Sequence, residues 1–483
     1  MSISIRLSFA SLIAGLALAA CAPSPSPNDA GESSLPMRLL DDTVVTAELR
    51  DLNDGSWAVD YFFAEPQKAM FFSRSLGDYR TSTWAPQEGS PGIERIGGFD
   101  AMVFDAPTSE ASYVISPYTG DIMGDYSPWL AFSDGSLALY TGQFELLGAA
   151  TGDEILALEG NLGAWEGEQG TLGVRVLTDQ PMLLDGSMYT GEVETWTRGE
   201  GDYVMIGDTP LEEGESYIGV IDDALPAQIA DSLDADLNGI FGGYEEAFGY
   251  TLPEKVTLYF AFGGFDHPGF SFSGSVIGSN LIVMNVSGEV LRDYPSAIRE
   301  HILWFFAHEG AHVFQGVEGA MPGLGGDSWI HEGSANTMAT QILMRTGVAG
   351  PSYQLSELNR ALDECAAGLA EGPLTSLAGQ VHYACGDLIF TMAATSLEHS
   401  DVYDIWRAFQ AAVAENEGEG FDTALVVSVF EEMGVKPDTL EAIEAVLYEP
   451  LSDPRAELVA GLVTSGLTHH FNDAGQVTDF QTP

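Results

Sequence analysis

Over the first two hundred residues, apolar and polar positions alternate in short runs. Thr43-Val44-Val45-Thr46-Ala47, Trp57-Ala58-Val59-Asp60-Tyr61-Phe62-Phe63, Tyr113-Val114-Ile115, Gly173-Val174-Arg175-Val176-Leu177-Thr178 and Glu192-Val193-Glu194-Thr195-Trp196-Thr197 are separated by clusters of Gly, Asp, Asn and Pro. Such alternation is the period of a half-buried strand, and the clusters are turn chemistry. The expectation is an all-β domain over residues 37–210. Trp84, Trp129, Trp165 and Trp196 read there as core or sheet-packing residues, and no catalytic constellation accompanies them.

The period changes after a Gly/Glu-rich turn at 211–216. Ile229, Leu233, Leu237, Ile240 and Phe241 recur at steps of three and four and predict a helix over Ala227–Phe248. Residues 255–262 read as a strand, the glycine-rich 263–278 as a loop, and 280–286 as a second strand beside a cleft, at the sheet edge. Pro295 and Gly316 bracket a helix that is apolar from Trp304 to Phe314 apart from three residues. From Pro351 the pattern is helical, over 355–369, 383–397, 402–414, 423–433 and 440–447. The predicted organisation is a β-rich domain (37–210), an α+β domain (211–350), a helical C-terminal region (351–475) and a tail (476–483).

The apolar helix holds its exceptions in one motif, His308-Glu309-Gly310-Ala311-His312. Residues four apart share a helix face, so both imidazoles can reach one metal ion. Glu309, one step round, can hold a water beside that ion. This is the arrangement of a zinc hydrolase, two ring nitrogens on the metal and a carboxylate to take the water's proton. Downstream stands Ser328-Trp329-Ile330-His331-Glu332-Gly333-Ser334-Ala335. With these two motifs in order, the chain resembles the gluzincin metallopeptidases, particularly the aminopeptidase N-like group, across residues 215–400.

The resemblance implies a thermolysin-like catalytic domain with one zinc ion per chain and a peptide or protein as substrate. It implies Glu332 as third ligand beside His308 and His312, and Glu309 as general base. His382-Tyr383-Ala384-Cys385-Gly386 is similar to the family's Tyr-x-x-Gly segment, which implies that Tyr383 donates a hydrogen bond to the oxyanion. Two departures stand out. The family has one residue fewer between the second histidine and the glutamate, so the bare spacing falls on His331 and a three-histidine site stays open. The family's Gly-x-Met-Glu-Asn segment, whose glutamate captures a free amino terminus, corresponds to Val283-Met284-Asn285-Val286, without the glutamate. Exopeptidase specificity is therefore not carried over. Asn336, four residues after Glu332, is placed to bond a ligand histidine or to be solvated.

At the start of the chain, Arg6 precedes an apolar run over 7–20 that ends in small residues, the pattern of a signal peptide (1–20). Leu18-Ala19-Ala20-Cys21 resembles a bacterial lipobox, implying lipid on Cys21, a tether over 21–36 rich in Pro and Ser, and an exported lipoprotein held at a membrane. Of three cysteines, Cys365 and Cys385 then remain as an even pair for a disulfide in an oxidising compartment. The chain has 17 basic and 72 acidic residues, a net charge of −55, which argues against nucleic acid as a partner. The competing reading is a non-catalytic envelope lipoprotein, a binding or scaffold module with a peptidase-like fold.

Overall fold

The computed structural model describes residues 39–122, 124–293, 295–316, 327–415, 422–471 and 477–481. The signal peptide, Cys21 and the tether lie outside the described residues. The chain packs as two compact units that divide between Pro210 and Leu211, with Ala261–Gly263 grouped with the first.

The first unit is an eleven-stranded sheet. Its long strands are Trp57–Phe72, Phe99–Ile115 and Leu172–Leu184. Trp57–Phe72 pairs antiparallel with Val45–Asp51 across a tight turn, where Asn53 and Gly55 take left-handed backbone angles. Inward residues of alternating strands form its core, Trp57, Tyr61, Trp84, Tyr113 and Trp129 among them. Trp165 is half-buried and donates its indole N–H to the Gly148 carbonyl. Trp196 departs from the expectation: 42% exposed, it lies on the open face of its strand.

The second unit begins with a five-stranded sheet. Its strands are β1 (Leu211–Glu213), β2 (Tyr217–Ile221), β3 (Val256–Phe262), β4 (Ser271–Ile277) and β5 (Leu281–Ser287), in the order β1-β2-β3-β5-β4. Two sequence expectations are corrected here. The second half of the predicted loop holds strand β4, and β4 is the edge, whereas the strand before the metal-motif helix, β5, is interior. Small residues hid β4. Any Cβ at Gly274 would lie 2.4 Å from the Phe305 ring, so glycine is what lets the strand settle on the helix below.

The helices that matter for the site are α1 (Ala227–Phe248), α2 (Ser296–Gln315), α3 (Trp329–Arg345), α4 (Pro351–Leu369) and α5 (Gln380–Ser396). Every residue of α2 from Ile302 to Gln315 is buried, as expected of a helix apolar on all sides. The amphipathic α1 covers one flank, its Tyr244 hydroxyl donating to the Ala307 carbonyl at 2.7 Å. α3 and α5 touch backbone to backbone at Gly333 and Gly386, where an added Cβ at either would meet main-chain atoms 2.2–2.3 Å away. A disulfide joins Cys365 on α4 to Cys385 on α5. The α/β part and the later helices share one unit. The predicted tail instead supplies Val477–Gln481, a strand pairing antiparallel with Thr468–Phe471.

Candidate metal centre

His308 and His312 lie one turn apart on α2, and Glu332 comes from the first turn of α3. Their donor atoms converge. The two Nε2 atoms are 3.2 Å apart, and Glu332 Oε2 is 3.3 Å from each. Ligands at about 2.0–2.1 Å around a tetrahedral ion stand about 3.3–3.4 Å from one another, so this triangle has the edge length of a zinc-type site with one position left open. The three side chains are between 5% and 8% exposed, and Glu332 Oε2 has no hydrogen-bond partner among the described residues. A buried carboxylate oxygen without a donor is costly unless a cation satisfies it.

The protonation pattern agrees. Gln315 donates its amide N–H to the His331 carbonyl (3.1 Å) and Ser334 Oγ (2.8 Å), which turns its oxygen toward His312 Nδ1 at 2.7 Å. His312 Nδ1 therefore carries a proton, so that whenever the ring is neutral it is Nε2 that presents its lone pair to the centre. Burial disfavours charge on His312, yet the Glu332 carboxylate against it raises its pKa to about 9. The pocket favours a cation. Burial likewise works against ionised Glu332, but His331, His312 and His308 outweigh it and hold the carboxyl well below its ordinary range.

Glu309 accepts the Val276 backbone N–H at 2.9 Å through Oε2, so the edge strand orients it. Burial raises its carboxyl above the ordinary value, the two histidines beside it pulling the other way. Tyr383 stacks on His308 with ring centroids 6.0 Å apart. Burial, then the Glu332 carboxylate, raises its hydroxyl well above the ordinary range, which leaves it a proton donor throughout the working range.

His331 sits close by but differently. Its Nε2 is 3.3 Å from Glu332 Oε1, the oxygen turned away from the histidine pair, and it is not one of the three converging groups. Asn336 bonds no ligand histidine: its amide donates to the Tyr383 carbonyl and its Oδ1 has no partner among the described residues. His382, next to Tyr383 in sequence, is fully buried between Ser328 Oγ (2.5 Å) and the Leu374 carbonyl (3.3 Å). Gln315 went unread in the sequence, although its place three residues after His312 was the available signal.

No protein-family model matches the sequence, and no curated protein does. Solved structures do match. An aminopeptidase N family protein from Idiomarina loihiensis superposes with a TM-score of 0.59 at 12% identity, covering 91% of this chain and 82% of that one. Leukotriene A4 hydrolase from Saccharomyces cerevisiae gives 0.46 at 13%, covering 85% and 68%. An M1 zinc metallopeptidase from Deinococcus radiodurans gives 0.40 at 12%, covering 85% and 94%. The chain has the aminopeptidase N-like fold: a β-rich region, a mixed α/β region and a helical C-terminal region.

Proposed function

We propose that this protein is a zinc-dependent peptide-bond hydrolase. The observation that carries the reading is the 3.2–3.3 Å triangle of His308, His312 and Glu332 with Glu309 one residue along the same helix. Zinc held there would supply Lewis acidity, polarising a carbonyl and bringing the pKa of water to about 7. Glu309, aimed by the Val276 N–H and raised by burial, takes the proton from the attacking water and passes it to the leaving amine. Tyr383, kept protonated, donates to the oxygen on which negative charge grows. Because β4 carries no Asp or Glu, that strand offers no carboxylate to an amino terminus, and we assign hydrolysis without an exopeptidase restriction.

Zinc content measured with cleavage of a mixed peptide library tests this reading. One equivalent of zinc with peptide cleavage is expected. Zinc without any cleavage would leave the non-catalytic module instead. We propose also that lipid on Cys21 anchors the chain to a membrane, a reading supported by Leu18-Ala19-Ala20-Cys21. A Cys21→Ser variant should move from the membrane fraction to the soluble one, and retention through a salt wash would place the anchor elsewhere.

A further inference from the structure

The rings beside the metal centre continue outward as one run. His308 stacks on Trp304 (centroids 5.2 Å), Trp304 on His301 (6.0 Å), His301 stands edge-on to Phe272 (4.7 Å), and Phe272 stacks on Phe270 (5.8 Å). His301, Trp304 and His308 follow one another at steps of three and four, so they form one stripe of α2. Phe270 and Phe272 come from the edge strand and the residue before it. The inner end of the run is buried, Trp304 being 6% exposed, while Phe270, Phe272 and His301 are half-buried and reach solvent. Burial, then the Arg360 charge, pushes His301 down to about 4. The whole ledge is thus uncharged at neutral pH, in a chain of net charge −55.

The edge strand ties this ledge to the centre. Val276 gives its N–H to Glu309, so that group points away from the partner strand β5. In a regular strand alternate residues point the same way, which turns the N–H and C=O of Gly274 to the same open edge. A peptide laid along that edge has one residue near Val276, at the metal centre, and another near Phe272, four residues on. A side chain of that second residue on the α2 face meets the ledge.

We infer that Phe270, Phe272 and His301 form a subsite for an aromatic side chain of a peptide substrate, about four residues from the bond attacked at the metal centre. This rests on the hydrolase reading above and adds to it the class of substrate: an extended peptide of at least five residues, not a dipeptide or a small amide. Aromatic rings meet one another offset or edge to face, and the solvent-reaching parts of Phe270, Phe272 and His301, all half-buried, give an incoming ring a surface for such contacts.

The test uses the zinc-loaded full chain and two pentapeptide hydroxamates that differ only at the residue farthest from the hydroxamate, Phe in one and Ser in the other. Binding is measured by calorimetry, independently of turnover. The Phe compound should bind about tenfold to a hundredfold tighter, as expected for burying one aromatic ring. In Phe272→Ser and, separately, Phe270→Ser, that ratio should fall toward one. Acetohydroxamate, which reaches only the metal, reports that the centre of each variant is still assembled. A ratio near one in the wild type, or a ratio that survives both substitutions, overturns the subsite. A preserved ratio in a protein that cleaves no peptide overturns the hydrolase reading and keeps the ledge. Binding of neither compound overturns both.

Discussion

The two units bury charge in opposite ways. In the β-rich unit, Arg80 is wholly buried, yet its terminal nitrogens reach the Arg74 carbonyl, Asp100, and both the backbone and side-chain oxygens of Gln143. Arg175 is similarly held by Glu48 and Glu194. Each of these buried cations meets carboxylates of its own unit, and among the described residues only the Nε atoms of Arg74 and Arg80 are left over there. In the other unit the leftover atoms are scattered over several elements, but they include Glu332 Oε2, His308 Nδ1 and His331 Nδ1 on the two helices that build the metal centre. The difference lies at one point: among the described residues only the second unit leaves a buried carboxylate oxygen over, where two imidazoles converge and a cation would satisfy it. Buried polarity that closes on itself is architecture, while buried polarity that does not close points to a ligand.

The largest expected effect strikes the second unit at its chemistry. Glu309→Gln should keep one zinc and lower peptide hydrolysis by about 10²–10⁴, because the amide cannot take a proton. Zinc lost together with activity would make Glu309 a ligand and break the division of roles. In the β-rich unit, Arg80→Met leaves Asp100 buried with only the half-exposed Arg95 as its ion partner. A loss of about 3–5 kcal/mol in denaturant unfolding is expected, with zinc binding unchanged. A neutral Arg80→Met would mean that the β unit is not organised around its pair.

Zinc itself sharpens the contrast. At a thousandfold excess over its Kd it should stabilise the wild type by about 4 kcal/mol and His308→Ala by much less. Equal stabilisation of both proteins would locate the ion elsewhere. The smallest effect concerns Asp387 on α5, which accepts the Thr337 hydroxyl at 2.8 Å. Burial raises it to about 7 from an ordinary 3.8, so the folded state holds a proton that the unfolded chain releases between those values. Stability from this group is present below about pH 4 and lost progressively as pH rises toward 7. Asp387→Asn should flatten that slope and leave the protein about 1–3 kcal/mol more stable than wild type at pH 8, each tenfold in proton affinity being about 1.4 kcal/mol. An unchanged slope would mean that Asp387 is ionised and paired in the fold.

What could be read in the sequence was whatever depends on neighbours along the chain. His308, Glu309 and His312 were placed by helix periodicity, and Glu332 was implied by the family resemblance of the Trp329–Ala335 stretch while the spacing left His331 open. The β-rich region followed by α/β and helical regions was legible from the change of period. Strand β4 was not, because Ser271-Phe272-Ser273-Gly274-Ser275 has too little apolar content to announce a strand. Its stability comes from its hairpin partner β5 on one side and from Phe305 of α2 below, a contact that no local pattern announces. The ledge was invisible for the same reason, as half of it stands on that strand. Gln315 was hidden because its role lies in which ring nitrogen carries a proton. Asn336 was misplaced because helix-face arithmetic does not say which helix packs opposite, and here α5 does.

The fit of β4 on α2 works as a vernier. Phe272, Gly274 and Val276 stand against His301, Phe305 and Glu309, two residues of strand for four of helix. Two strand residues advance about 6.6–6.8 Å. Four helix residues advance about 6.0 Å. The scales slip by about 0.7 Å at each step, so they stay in phase over three marks and drift apart beyond. β4 begins at Ser271, one residue before the first of the three marks. The span over which a peptide on that edge would stay in register with Glu309 is thereby set by the ratio of two backbone pitches, before any side chain is chosen.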